Sequence, residues 1–404
     1  MQFEDLAAAQ PKIDLYLLKA TEFCNLNCPY CYMFNLRDFS FREKPKIMSQ
    51  EIVEVTAQKA VALAIRQGVP KLTISLHGGE PLLAGLDWYR STVDTFRRIG
   101  GDAVRCVFTT QTNGVLLDEA WVEYFASESI TVGISMDGIP EVHDKYRVNF
   151  AGRGSYRDVE RGLKLLLKYP AAFGAVLCVI DPEADGLDTY RHFRSLGVPA
   201  MDFLWPLDHN WDNPPAGHKA EGATPFADYL IPIFDEWWEN DYPNVRIRYF
   251  EQLVKNIFGA RGGLDSLGGN PVSITSIDSD GSIEPVDSLK ACGDGFTSLG
   301  LNILESPLES VYQQPLFQQA IAGQQGLCQE CRECSLSDIC GGGYLPHRYS
   351  AENQFLNPTV YCRDVWQLTT HILRSVKRRY SAPVMGEGGP AAHREEPVQQ
   401  AYPG

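Results

Sequence analysis

Three cysteines stand close together near the start of the chain: Cys24, Cys28 and Cys31, in the run Cys-Asn-Leu-Asn-Cys-Pro-Tyr-Cys-Tyr. The C-x3-C-x2-C spacing puts three thiolates on one short loop. That suits three irons of a [4Fe–4S] cluster and leaves the fourth iron open to a small molecule. The paired C-x2-C spacing of zinc fingers and thioredoxin-type sites is different. A second group lies far downstream, Cys331-x2-Cys334-x5-Cys340 followed by Cys362. Four thiolates are the number that a closed cluster needs, and a structural zinc site is the competing reading. Cys292 and Cys328 lie nearby without completing another set of four, whereas Cys106 and Cys178 fall in apolar runs and read as core.

Other candidates sit where apolar runs end. Gly78-Gly79-Glu80 follows residues 72–76; a glycine pair there lets backbone approach a ligand closely, and Glu80 is an acceptor, although a plain turn has the same composition. Gln111-Thr112-Asn113-Gly114 and Ser135-Met136-Asp137-Gly138 offer short polar side chains beside a glycine, suited to hydroxyls and a carboxylate or to ordinary turns. Arg147, in His-Asp-Lys-Tyr-Arg, could hold a carboxylate bidentately or be a surface arginine in a charged loop. Asp287 could serve as a base near a substrate or be a solvated turn residue.

These residues need a scaffold, and the chain supplies a regular one. Strand-like runs at 13–18, 72–76, 104–109, 131–135, 172–180 and 201–204 alternate with helix-like segments at 49–66, 88–98, 117–126, 156–168 and 190–196. Such alternation predicts an α/β fold with a parallel sheet and a site at the strands' C-terminal ends. Residues 206–269 turn aromatic-rich and helical, and read as a bridging segment. Residues 270–375 carry the second cysteine group and a final helix at 365–379, and 381–404 reads as a disordered tail. At 404 residues there is room for a large core. A net charge of −15 argues against a nucleic-acid partner. No signal peptide and no membrane-length apolar run is visible, so a soluble, cytoplasmic protein with reduced thiols is expected, without a membrane partner.

The three-cysteine loop with an aromatic after its last cysteine resembles radical S-adenosylmethionine (SAM) enzymes. That resemblance implies a partial (β/α)6 barrel over residues 12–205, SAM chelated by the open iron, and reductive cleavage to a 5′-deoxyadenosyl radical. It implies SAM contacts from Gly78, Gly79, Glu80, Gln111, Asn113 and Ser135, with Arg147 on the SAM carboxylate. The later cysteines resemble a SPASM domain, which binds auxiliary clusters in peptide-modifying enzymes. The fuller pattern has seven cysteines; here Val286 and Tyr344 stand where two are expected, which implies one auxiliary [4Fe–4S] cluster on Cys331, Cys334, Cys340 and Cys362. Residues 341–362 resemble maturases of ribosomally made peptides that form cyclophanes. The expected reaction is therefore hydrogen abstraction from a precursor-peptide side chain and closure onto an aromatic ring, with Asp287 as base and flavodoxin or ferredoxin as electron donor. Formylglycine formation, as in sulfatase-maturing relatives that carry Cys-Asp at 286–287, is the alternative, beside peptide epimerisation and a non-catalytic iron–sulfur scaffold.

Overall fold

The computed structural model describes residues 11–216, 222–260, 263–272 and 274–381. From residue 382 onward, the segment expected as a tail lies outside them. Six strands follow the predicted order: β1 Leu15–Thr21, β2 Lys71–Gly78, β3 Arg105–Thr112, β4 Thr131–Ser135, β5 Phe173–Val179 and β6 Ala200–Leu204. Each pairs in parallel with the next. Helices return the chain between them, as parallel pairing requires. The first, Gln50–Gln67, starts on Ser49, whose hydroxyl accepts from the Ile52 amide at 3.2 Å.

Alternation along the strands separates two faces. Leu72, Ile74 and Leu76 of β2 are buried in the layer under the helices, with Phe108 of β3 and Val132 and Ile134 of β4. The intervening Ser75, His77, Gln111, Gly133 and Ser135 are only partly buried, and are small or polar. This second face lines the barrel interior, so the strand ends present polar groups to it.

Four short strands extend the sheet beyond the expectation. β7 (Arg246–Ile247) adds to β6; β8 (Ile274–Ile277) adds parallel to β1; β9 (Ser282–Glu284) and β10 (Leu301–Asn302) continue antiparallel. The order is β10-β9-β8-β1-β2-β3-β4-β5-β6-β7, one sheet crossing both boundaries expected near 205 and 269. Helices Pro225–Glu236, Arg248–Ile257 and Cys362–Ser381 pack on one another beside it. Trp237 and Trp238 are buried in that layer.

Two close approaches fix the start of the barrel. The Gly79 amide donates to Thr21 O at 2.9 Å and the Glu80 amide to Phe23 O at 2.8 Å. A Cβ on Gly78 would stand 2.3 Å from Thr21 O, and one on Gly79 2.3 Å from Phe23 O. Only glycine lets β2's end lie against the segment entering the cysteine loop. Behind that segment is a dry charged cluster: Lys44 pairs with Asp278 and, at 3.3 Å, with Glu284, while Lys290 meets Glu284 at 2.8 Å and Asp278 at 3.2 Å. Glu22 is buried beside it with neither carboxylate oxygen hydrogen-bonded among the described residues.

Gly79→Ala is expected to push the cysteine loop off β2 and lower iron retention after cluster reconstitution; iron content equal to wild type would refute the steric argument. Burial, then the nearby Asp278, pushes the Glu22 carboxyl up to about 8. Between the ordinary carboxylate range and about pH 8 the folded chain holds a proton that the unfolded chain releases, so this group's contribution to stability is lost as pH rises through that window. Glu22→Gln should raise the melting temperature at the alkaline end and converge with wild type at the acid end. Parallel melting curves across the window would contradict it.

Candidate radical and auxiliary-cluster sites

The loop after β1 is wound tightly around its cysteines. The Cys31 amide donates to Cys28 O at 3.0 Å, Asn35 N to Cys31 O at 2.8 Å, and Leu26 N to the Cys24 sulfur at 3.4 Å. Burial pushes all three thiols up, Cys28 to about 11. Thiols so placed become thiolates by binding metal, which releases their protons. Among the described residues no three His, Cys, Asp or Glu side chains converge on a single metal-ion point. The C-x3-C-x2-C loop itself supplies three thiols, the donor set for three irons of a [4Fe–4S] cluster.

The strand ends expected around SAM do come together. Glu80 is fully buried and accepts from Thr112 Oγ1 at 2.7 Å, the Asn113 amide at 2.8 Å and the Leu82 amide at 3.1 Å. Burial pushes it up to about 7 against those hydrogen bonds. Asn113 Nδ2 donates to Asn25 Oδ1 at 2.7 Å and lies 3.8 Å from the Cys24 sulfur. Gln111 Nε2 donates to Ser135 Oγ at 2.9 Å, and a Cβ on Gly133 would collide with Gln111 Oε1. Glu80 thus joins the ends of β2 and β3, while Asn113 joins β3 to the cysteine loop.

Arg147 is placed otherwise than expected. Its Nε reaches Asp137 Oδ2 at 2.8 Å and a terminal nitrogen reaches Oδ1 at 3.1 Å, a buried bidentate pair. Asp137 also accepts from Tyr30 and from the Val179 amide. Asp137 thus engages two of the three guanidinium nitrogens, and Arg147 lowers the Cys28 thiol against the effect of burial.

Asp287 is buried, not a solvated turn residue. Its Oδ2 pairs with the Lys19 ammonium, accepts from Tyr32 OH at 2.7 Å, and lies 3.9 Å from His77 Nδ1. Lys19 also contacts His77 Nδ1 at 3.2 Å and Met33 Sδ at 3.5 Å. The regular β1–β2 register sets Lys19 directly opposite His77, and a bulge follows before Thr21. An ammonium only donates, so His77 Nδ1 accepts and its proton is on Nε2; burial and Lys19 lower its pKa to about 4, keeping the ring neutral. Lys19 and His77 hold the Asp287 carboxylate well below its ordinary value despite burial. Of the quartet Lys19, Tyr32, His77 and Asp287, only Asp287 was singled out from the sequence. The one charge in Leu-Tyr-Leu-Leu-Lys-Ala-Thr was the available signal.

Where two cluster ligands were expected, ordinary packing stands. Val286 belongs to an apolar cluster with Leu289, Cys292, Leu345 and Phe355, and Tyr344 OH donates to Ser288 Oγ at 2.6 Å. The four distal cysteines, in contrast, line one cavity. Cys331, Cys334, Cys340 and Cys362 surround about 250 Å³ with Gly342, Leu336, Pro358 and Trp366. That space, ringed by four sulfurs, fits a closed cluster.

The Radical SAM superfamily matches residues 18–185. A cysteine-type anaerobic sulfatase-maturating enzyme of Clostridium perfringens (strain 13 / Type A) is 27% identical over 358 residues, 88% of this chain and 94% of that one. A serine-type anaerobic sulfatase-maturating enzyme of Bacteroides thetaiotaomicron is 27% identical over 368 residues, 86% of each. A solved structure described as native anSMEcpe with bound AdoMet and Cp18Cys peptide superposes with a TM-score of 0.76 at 25% identity, covering 91% of this chain and 99% of that one.

These relatives overturn the expected cyclophane-forming reaction. The stretch 341–362 that suggested it builds the cysteine cavity: Thr359 N donates to Gly342 O, Val360 N to His347 O, and Arg348 reaches the carbonyls of Phe355 and Asn357. Residues that shape a cluster's seat carry no information about which bond the substrate forms. Fold, loop and matches together give residues 18–185 the α/β radical SAM fold, a partial barrel whose cofactors are a [4Fe–4S] cluster and SAM.

Proposed function

We propose that this chain oxidises a cysteine or serine side chain of a peptide or protein substrate to formylglycine. Similarity to both cysteine-type and serine-type sulfatase-maturating enzymes over nearly the whole chain supports the reading. The observation that carries it is the buried, ionised Asp287 beside the ends of β1 and β2. When bound at Cys24, Cys28 and Cys31, the cluster with SAM supplies a hydrogen-atom acceptor for the substrate's side-chain carbon.

The chain's own residues position and deprotonate. Gly78, Gly79, Glu80, Gln111, Asn113 and Ser135 shape the SAM seat, with Glu80 and Asn113 joining it to the cysteine loop. Asp287 takes the proton from the substrate hydroxyl or thiol. Lys19 makes it a weak base, but loss of a hydrogen atom from the adjacent carbon makes that hydroxyl or thiol far more acidic. Among the described residues the Lys19, Tyr32 and His77 contacts to Asp287 fall on Oδ2, which leaves Oδ1 to meet substrate. Serine thereby loses one hydrogen atom, one proton and one electron to give the aldehyde; cysteine gives the thioaldehyde, which water converts to aldehyde and hydrogen sulfide. Cys331, Cys334, Cys340 and Cys362 would hold an auxiliary cluster whose chemistry is to accept that electron, and a flavodoxin or ferredoxin would be the external electron donor.

Anaerobic incubation with SAM, a reductant and sulfatase-type peptides carrying cysteine or serine is expected to yield 5′-deoxyadenosine and a hydrazide-reactive aldehyde. Absence of aldehyde from both peptides would sink the proposal. Asp287→Asn should lower aldehyde formation by about 10²–10⁴-fold. The ion pair has its own stability signature. Lys19→Met or Asp287→Asn alone leaves a buried charge without its partner, at a cost of about 3–5 kcal/mol. The double variant should recover part of that, and strictly additive losses in unfolding experiments would show that the two charges are not coupled.

A further inference from the structure

Arg348 is 4% exposed, yet among the described residues its hydrogen bonds go to carbonyls and not to a carboxylate. Its Nε donates to Asn357 O at 3.2 Å, and a terminal nitrogen donates to Phe355 O at 2.8 Å and to Gly326 O. Three carbonyl oxygens orient the guanidinium without neutralising it. A buried, uncompensated cation costs several kcal/mol, on the order of what breaking a buried pair costs, so its counter-charge must be sought nearby. The point where a Gly342 Cβ would sit is 3.7 Å from the Cys331 sulfur and 3.8 Å from Arg348 Nε, so backbone without a side chain separates the two. The thiolates that oppose the desolvation of Arg348 are those of Cys331, Cys328 and Cys340. Two of these line the four-cysteine cavity.

We propose that Arg348 is the resident counter-ion of the auxiliary cluster and raises its reduction potential. A four-thiolate cluster carries net negative charge, and reduction adds one electron and one more negative charge. A fixed cation held beside it at low dielectric stabilises the reduced form more than the oxidised form. The three carbonyl bonds keep the guanidinium from swinging away to solvent. Arg348 is thus a tuning residue that acts through the cluster and does not touch substrate. The inference needs the auxiliary cluster but not the formylglycine reading.

The test is an anaerobic redox titration of the reconstituted full chain, followed by EPR, with iron and sulfide counted per chain. Added SAM perturbs the radical-site cluster and so separates its signal from the auxiliary one. Arg348→Gln is expected to shift the auxiliary midpoint to more negative potential, while Arg348→Lys stays near wild type and the radical-site cluster is unmoved in both. An Arg348→Gln protein with full iron content and an unchanged auxiliary midpoint overturns the proposal. If Arg348→Gln assembles only the radical-site cluster while Arg348→Lys assembles both, the charge requirement is upheld. Loss of the auxiliary cluster in both variants would make Arg348 a packing element and overturn it, as would iron for a single cluster in the wild type.

Discussion

Lys19 and Asp287 are separated by 268 positions, and their charges meet where neither side chain has appreciable access to water. Neither could be buried there alone, because desolvating an isolated ammonium or carboxylate costs more than the fold can offset. The pair therefore obliges β1 and the turn after β9 to arrive at one place. Once they do, other choices follow. The ammonium's three donors are met by Asp287, His77 and Met33, which fixes the imidazole tautomer, and Tyr32 closes on the same carboxylate oxygen. The radical-site loop and the C-terminal region thus share one charged joint.

The six long strands and the helices between them were legible because each element is long enough to show its period. β1 begins two residues later than expected and the final helix three residues earlier, at Cys362. β7 and β10, of two residues each, show no period at all, and β8 reads as part of an irregular polar stretch. Helix Pro140–Tyr146 was missed for the same reason. Among the candidate site residues, those next to glycine at strand ends were legible as one neighbouring group, since polar side chains and turn geometry coincide there. Arg147 was not, because its partner Asp137 is fixed by a tertiary approach that ten residues of sequence do not encode.

The departures from the seven-cysteine pattern have a material counterpart. Val286 and Tyr344 leave no gap: one enters an apolar cluster and the other hydrogen-bonds Ser288 in the same turn that carries Asp287. Protein, not metal, stands between Asp287 and the four-cysteine cavity. Asp287 consequently takes its electrostatic environment largely from Lys19.

The placement of β8 next to β1 also bears on how the chain is made. During synthesis β1 emerges first, but one of its edges stays unpaired until Ile274–Ile277 leaves the ribosome, long after β2 to β6 are available. An open, apolar strand edge is the feature most prone to wrong pairing. The Cys24–Cys31 loop, which hangs from that same strand, waits with it. Cluster insertion into a settled barrel is therefore an event of the finished chain, and a ribosome stalled before residue 274 would carry a radical-site loop whose supporting strand still lacks a neighbour.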